Sequence, residues 1–240
     1  KKKYKVQLIN DNCHAIGSRL NNKTNYATTF ADVVTMSFHP VKNITTGEGG
    51  AIFLNNEKLY IKAKLLRSHS IERDDHLKNK KGMWHYDIKD LGFNYRLTEF
   101  QSALGISQLN KLEKFVKRRN QIAKIYDEAF GKEENITIPK KNLNIRHSYH
   151  LYPLRINFKN LGKSKKKFFN YMSKKNINLQ VHYIPIHYHK YYQKKFGLKK
   201  GTFPICENFF KEEVSLPIFY SIKNSEIKKI IRLIKNYLLN

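Results

Sequence analysis

The chain has 240 residues, 40% of them hydrophobic and 13% aromatic, enough to bury a core in one large domain or two small ones. Its formal charge of +27 comes from 37 lysines and only 9 arginines. The lysines are scattered, which argues against nucleic acid, where Arg forks favour phosphates and base edges, and suits an acidic small substrate. Cys13 and Cys206 lie too far apart in sequence to suggest a disulfide scaffold or a zinc site and fit a reducing cytoplasm, and no apolar run is long enough to span a membrane.

The densest basic runs are Lys1–Lys3, Lys78–Lys81 and Lys163–Lys167. The first resembles the start of a signal peptide, but the apolar residues after it, Val6, Leu8 and Ile9, end too soon. The chain lacks an initiator Met and opens on a strand-like run, Tyr4 to Ile9, so a truncated chain is expected. That strand turns at Asn10-Asp11-Asn12. Asp32 to Phe38 predicts a second strand and Ala51 to Leu54 a third, bounded by Gly49-Gly50 and Asn55-Asn56. Glu57 to Ser68 predicts a helix. Strands alternating with helices imply an α/β layer, whose ligands sit beyond the C-terminal strand ends, where Asp11 and Ser37 fall.

Arg73 to Tyr95 is polar and reads as an irregular excursion. Thr98-Glu-Phe-Gln101 has the pattern of a capping box opening a long helix, with a break or bend expected near Lys117–Asn120. Beyond Gly131 the character changes. Ser148 to Phe158 and Leu179 to Ile186 are strand-like, and Ser164 to Lys175 is a basic helix. Pro204 to Glu213 predicts a short helix, and Ser225 is expected to cap a final amphipathic one. Two domains follow, 1–124 and 125–240, the second α+β.

Lys42 stands on a tight turn just past the second strand. An amine held there and partly desolvated could attack a carbonyl, although as one of 37 lysines it is more simply a solvated loop residue. Asp11 at a strand end could equally cap a turn. His182, His187 and His189 cluster in sequence, but no acidic ligand stands at a metal-binding spacing. No phosphate loop, dinucleotide fingerprint or serine elbow is present.

Wording shifts these odds. Ser37-Phe-His-Pro-Val-Lys42-Asn-Ile-Thr-Thr-Gly-Glu-Gly-Gly50 resembles the cofactor-lysine segment of the DegT/DnrJ/EryC1 family of sugar aminotransferases, which use pyridoxal 5′-phosphate. Ile9-Asn-Asp-Asn-Cys-His-Ala-Ile-Gly17 resembles the family's I-E-D-x-x-H-A-x-G, departing from it at Asn10. Leu91-Gly-Phe-Asn-Tyr-Arg-Leu-Thr-Glu-Phe-Gln101 resembles G-x-N-x-R-x-x-E-x-Q, and Gln180-Val-His-Tyr-Ile-Pro-Ile-His187 a late substrate segment. These blocks, with Glu207-Asn-Phe-Phe-Lys-Glu-Glu-Val-Ser-Leu-Pro217, extend over nearly the whole chain.

The resemblance implies fold type I of the pyridoxal-phosphate transferases, aspartate-aminotransferase-like. The chain would be the C-terminal part of the large α/β/α domain plus a smaller α+β domain. It implies Lys42 as the catalytic, cofactor-bonding lysine and Asp11 at the pyridinium nitrogen. His14 would lie against the cofactor ring. Ser37 would bind the cofactor phosphate, and Asn94 the phosphate held by a partner subunit, in a homodimer with a shared active site. Arg96 and His182 would face the substrate. The implied reaction moves an amino group from L-glutamate to C4 of a UDP-4-keto-6-deoxy-N-acetylhexosamine, toward pseudaminic acid. Amination at C3 or of another nucleotide sugar, and a basic nucleic-acid-binding module, are the alternatives. Family members begin with a longer segment, so the 240 residues alone are expected to be inactive or poorly folded.

Overall fold

The computed structural model describes residues 3–73 and 75–239, so Lys1 and Lys2 of the basic start lie outside the described residues. Two compact units result, Lys1–Leu112 and Glu113–Asn240.

The first unit opens with β1 (Ile9–Asp11), β2 (Arg19–Leu20), α1 (Tyr26–Phe30), β3 (Val33–Ser37), β4 (Gly50–Leu54) and α2 (Glu57–Arg67). β3 is the middle strand of three. It pairs in parallel with β1, Asp11 opposite Thr35, and antiparallel with β4, Ser37 opposite Gly50. The parallel pairing brings the C-terminal ends of β1 and β3 to one edge of the sheet. The strand expected over Tyr4 to Ile9 forms instead at Ile9–Asp11. β3 begins at Val33, opposite Ile9, so earlier residues have no ladder to extend. Leu8 ends the approach, donating its N–H to Asp32 Oδ2 at 2.9 Å and accepting from Asp32 N–H at 2.9 Å.

The excursion expected to be irregular carries regular structure. β5 (Ile71–Glu72) pairs with β6 (Asp87–Ile88) around α3 (Asp75–Lys81). Lys89 joins the two strands, 3.0 Å from Glu72 and 3.3 Å from Asp87. α4 (Glu99–Leu109) opens on the predicted capping box: Gln101 N–H donates to Thr98 Oγ1 and Thr98 N–H to Gln101 Oε1.

α5 (Leu112–Phe130) begins after a break at Asn110–Lys111, not near Lys117–Asn120. The polar run 117–120 stays helical because Arg119 is buried and its Nη1 donates to the carbonyls of Tyr149 (2.9 Å) and Ile218 (2.8 Å). These bonds tie α5 into the second unit, whereas the expected domain boundary at 124/125 falls inside this helix.

The second unit continues with β7 (Ile136–Thr137), β8 (Ile145–Arg146), β9 (Pro153–Ile156), α6 (Lys165–Lys174), a 3-10 turn at Ile186–Tyr188, α7 (Lys190–Phe196), α8 (Pro204–Glu212), β10 (Glu213–Ser215) and α9 (Asn224–Leu239). The strand order β10-β9-β7 is antiparallel throughout. Ile122, Tyr126 and Phe130 of α5, Leu154 and Ile156 of β9, Phe168 and Met172 of α6, and Ile227, Ile230 and Ile234 of α9 form one buried core. Their spacing at three and four residues on each helix explains why each helix buries one face.

Leu179 to Ile186 is not a strand. It makes one bridge, Gln180 to Ser215, before Pro185 and the 3-10 turn interrupt pairing. Ser225 lies inside α9, and Glu226 closes the helix start by accepting from Lys223 N–H at 2.7 Å. Lys163 and Lys165 of the third basic run are hydrogen-bonded, to the carbonyls of Tyr237 (2.5 Å) and Phe210 (2.6 Å).

Candidate active site

The C-terminal ends of β1 and β3 carry most of the residues singled out above. Asp11 is the last residue of β1, and its Oδ1 accepts from Cys13 N–H at 3.1 Å, an Asx turn. The parallel ladder runs one step further, since Asn12 N–H donates to Thr35 O at 3.0 Å. Asn12 is buried, and its Oδ1 accepts from Tyr26 hydroxyl at 3.1 Å. The turn that aims Asp11 is therefore held from both sides.

The Asp11 carboxyl is held below its usual range, first by its side-chain hydrogen bond with Cys13, then by the Cys13 backbone N–H, against a small opposing effect of burial. The charges of His14 and Lys42 add to the lowering. The Cys13 thiol is pushed up, by burial first and then by Asp11. Asp11, His14 and Lys42 thus share one electrostatic neighbourhood although 31 residues separate the first from the last. Asp11 itself is exposed in this chain.

Ser37 ends β3, half-buried, with its Oγ near His39 N–H at 3.4 Å. The chain then turns, Lys42 N–H donating to His39 O at 3.0 Å, and Lys42 is half-buried. The next residues explain why this loop is stiff. Asn43 is buried and donates from Nδ2 to Ile16 O at 3.2 Å, tying the lysine turn to the segment after Asp11. Thr46 is buried, its N–H donating to Phe38 O at 3.0 Å and its Oγ1 to Glu48 O at 2.7 Å. At Gly50 a Cβ would lie 2.5 Å from Met36 O, and Gly49, at φ +150°, would put one 2.5 Å from Thr46 Oγ1. Within the Thr-Thr-Gly-Glu-Gly-Gly run, Thr46, Gly49 and Gly50 are thus set by packing in the turn that presents Lys42, and Gly47 by its positive φ of +80°.

α4 closes over the same loop. Gln101 Nε2 donates to Glu48 O at 2.9 Å, and a Cβ on Gly105 would lie 2.9 Å from Thr46 Cγ2. The residues leading into α4 are laid along the end of α2. Phe93 N–H donates to Leu66 O (2.7 Å), Tyr95 N–H to Arg67 O (2.9 Å) and His69 N–H to Phe93 O (2.8 Å). Gly92 makes this possible, because a Cβ there would strike the backbone of His69 and Ser70. Asn94 and Arg96 are exposed and touch each other, Arg96 Nε to Asn94 Oδ1 at 3.3 Å.

His182 belongs to the second unit. Its N–H donates to Glu213 Oε2 at 2.9 Å, and its Nδ1 lies 2.7 Å from Ser215 Oγ. His187 is buried instead against Glu207, Nε2 to Oε1 at 2.8 Å. Asn43, Thr46, Glu213 and Ser215 were not picked out by sequence pattern. Asn43 is signalled only by its place beside Lys42. Glu213 and Ser215 carry the alternation of a strand whose buried partner is a polar loop.

The DegT/DnrJ/EryC1/StrS aminotransferase family profile matches residues 1–235. An uncharacterized protein of Methanocaldococcus jannaschii is 40% identical over 233 residues, 97% of this chain and 60% of that protein. A Campylobacter jejuni protein named UDP-4-amino-4,6-dideoxy-N-acetyl-beta-L-altrosamine transaminase is 38% identical, over 95% of this chain and 57% of its own length. Among solved structures, Helicobacter pylori PseC, an aminotransferase of pseudaminic acid biosynthesis, superposes with a TM-score of 0.88 at 33% identity, covering 99% of this chain and 61% of that one. The chain thus spans less than two thirds of the relatives it matches.

Proposed function

Because the chain belongs to the DegT/DnrJ/EryC1/StrS aminotransferase family, we propose that the protein moves an amino group from L-glutamate to C4 of a UDP-4-keto-6-deoxy-N-acetylhexosamine, in nucleotide-sugar biosynthesis leading to pseudaminic acid. The fold is type I of the pyridoxal-phosphate enzymes, and aminotransferases of this family depend on that cofactor.

The donor set fits the cofactor. Asp11 is a carboxylate held in its charged form, Ser37 offers a hydroxyl at the end of the neighbouring strand, and Lys42 follows it on a stiff turn. When bound, the cofactor supplies an aldehyde for amine exchange and a protonated ring that draws electrons from the reacting carbon. In this reading Lys42 would hold the cofactor and would take and return the proton at the donor's α-carbon. Asp11 keeps the positive charge at the ring nitrogen. His14 would lie against the ring. Ser37 binds phosphate, and Asn94 reaches the phosphate of the other copy in a homodimer. Arg96 is the proposed substrate contact of the first unit and His182 that of the second. The relatives' printed substrates support the sugar class, and the basic composition suits a nucleotide diphosphate.

The observation that carries this reading is the parallel pairing of β1 with β3, which sets Asp11 beside the strand leading into the Lys42 turn, together with the Asn43 Nδ2–Ile16 O bond that ties that turn to the segment after Asp11. Borohydride reduction in the presence of pyridoxal phosphate, followed by peptide mapping, tests it. The adduct is expected on Lys42, and Lys42→Ala should remove it and lower turnover by about 10³-fold or more. An adduct on another lysine overturns the assignment.

A further inference from the structure

Asp11 and Lys42 stand on separate segments, and each segment is stiff by itself. From Asp11 the chain runs through consecutive turns. Cys13 N–H donates to Asp11 Oδ1 (3.1 Å), Ala15 N–H to Asn12 O (3.0 Å) and Ser18 N–H to Ala15 O (2.9 Å). Gly17, at φ +82°, lets the last of these close. On the other side Lys42 N–H donates to His39 O (3.0 Å) and Thr46 N–H to Phe38 O (3.0 Å). Two stiff segments still need a link if their separation is to be fixed.

Asn43 supplies one. It directly follows Lys42, is 5% exposed, and donates from Nδ2 to Ile16 O at 3.2 Å, inside the turn from Ala15 to Ser18. A carbonyl only accepts, so the amide meets it with its NH2. Because the contact is buried from solvent, removing the donor strands the carbonyl. The charges of Lys42 and His14 acting on Asp11 agree with the closeness of the two segments.

Register matters because of the cofactor's shape. Pyridoxal phosphate carries its ring nitrogen and its aldehyde at opposite positions of one flat ring. A carboxylate for the nitrogen and an amine for the aldehyde must therefore keep one separation. A protein that already holds it loses less freedom on binding.

We propose that Asn43 is a positioning residue that holds the Lys42 turn in register with the Asp11 segment, so that one rigid ring meets both side chains at once. The cofactor half of this rests on the aminotransferase reading above, whereas the tie between the two segments does not.

Two ligands of the full protein separate this role from a merely structural one. Pyridoxal phosphate calls on both segments. Pyridoxine 5′-phosphate, which has an alcohol in place of the aldehyde, cannot bond to a lysine and calls on the ring-nitrogen and phosphate contacts alone. Asn43→Leu is close in shape but has no donor, and Asn43→Ser is the milder change. Each should weaken pyridoxal phosphate about tenfold or more and pyridoxine phosphate by less than about threefold. Equal weakening of the two, or none of either, overturns the register role. Amide hydrogen exchange without cofactor reads the tie directly. Both variants should speed exchange at Ser18 and Lys42 and leave Asn12, which donates to Thr35 O beside the β1–β3 ladder, as it is in wild type. Unchanged exchange at Ser18 and Lys42 overturns the tie. Failure of the aminotransferase reading shows separately: wild type then forms no reducible lysine adduct, while exchange still responds to Asn43.

Discussion

The two units differ most in what they bury. The second gathers twenty buried residues into one core, from α5, β9, α6, β10, α9 and the segments between them. The first has a buried cluster of only Ala27, Ala31 and Val34 with Tyr26 packed against it, and leaves Trp84, Leu91, Tyr95, Phe100 and Ile106 largely exposed. The second unit is thus built around its own hydrophobic interior. The first is instead held by hydrogen bonds and close backbone contacts around the Lys42 turn. The chain spans about 60% of its relatives' length, and within the first unit it is the Lys42 turn that is most closely defined, through Asn43 bonded to Ile16 O, Thr46 bonded to Glu48 O, and Gly49 and Gly50 packed on Thr46 and Met36.

This contrast can be broken or sharpened by substitution. Phe168→Ala removes a fully buried ring of the second core and should cost about 4 kcal/mol, read as loss of hydrogen-exchange protection across β9, α6 and α9. Little change there would mean that the second core is not what stabilises its unit. Arg119→Met strands carbonyls of Tyr149 and Ile218 that now accept from a guanidinium, and should cost about 3 kcal/mol in the same assay. Burial lowers that guanidinium to about 10, still charged at neutral pH, so the bonds being lost are charge-assisted. Val34→Ala, the matching change in the first unit, should cost about 2 kcal/mol or less, because it removes fewer atoms from a cluster of two other buried residues, Ala27 and Ala31, with Tyr26 against it. A cost equal to that of Phe168→Ala would erase the difference between the units.

The smallest expected effect is acidic. Burial pushes the Glu207 carboxyl up, but hydrogen bonds from His187, Gly201 N–H, Tyr188 and Phe203 N–H outweigh it and hold it at about 2. A carboxyl lowered on folding contributes stability that is complete above its ordinary value of 4.5 and is lost as pH falls through about 2. The stability gap between wild type and Glu207→Gln in urea titrations should be widest above pH 4.5 and close toward pH 2. A gap independent of pH would show that His187 and Glu207 pack together without charge.

Much of the candidate site is legible in the sequence because it is written in short segments. Lys42 and the glycines after it, Asp11 at a turn and the Thr98–Gln101 box are each local, set by interactions within a few residues. The break in the long helix is not legible there, for the opposite reason. The run 117–120 is polar in sequence, yet Arg119 finds its carbonyl partners about 30 and 99 residues away. Leu179 to Ile186 looked like a strand, but pairing depends on a partner, and β10 offers it only one bridge.

The chain's wording by itself determined the family, the lysine turn, the capping box and the amphipathic final helix, because these follow from periodicity, turn chemistry and motif. Tertiary structure alone decided that Asp11 and Lys42 share a field and that Gly92 must admit the backbone of His69. It also decided that Glu213 and Ser215 stand behind His182. Parallel pairing and strand register set these meetings, and both depend on residues far apart in the chain.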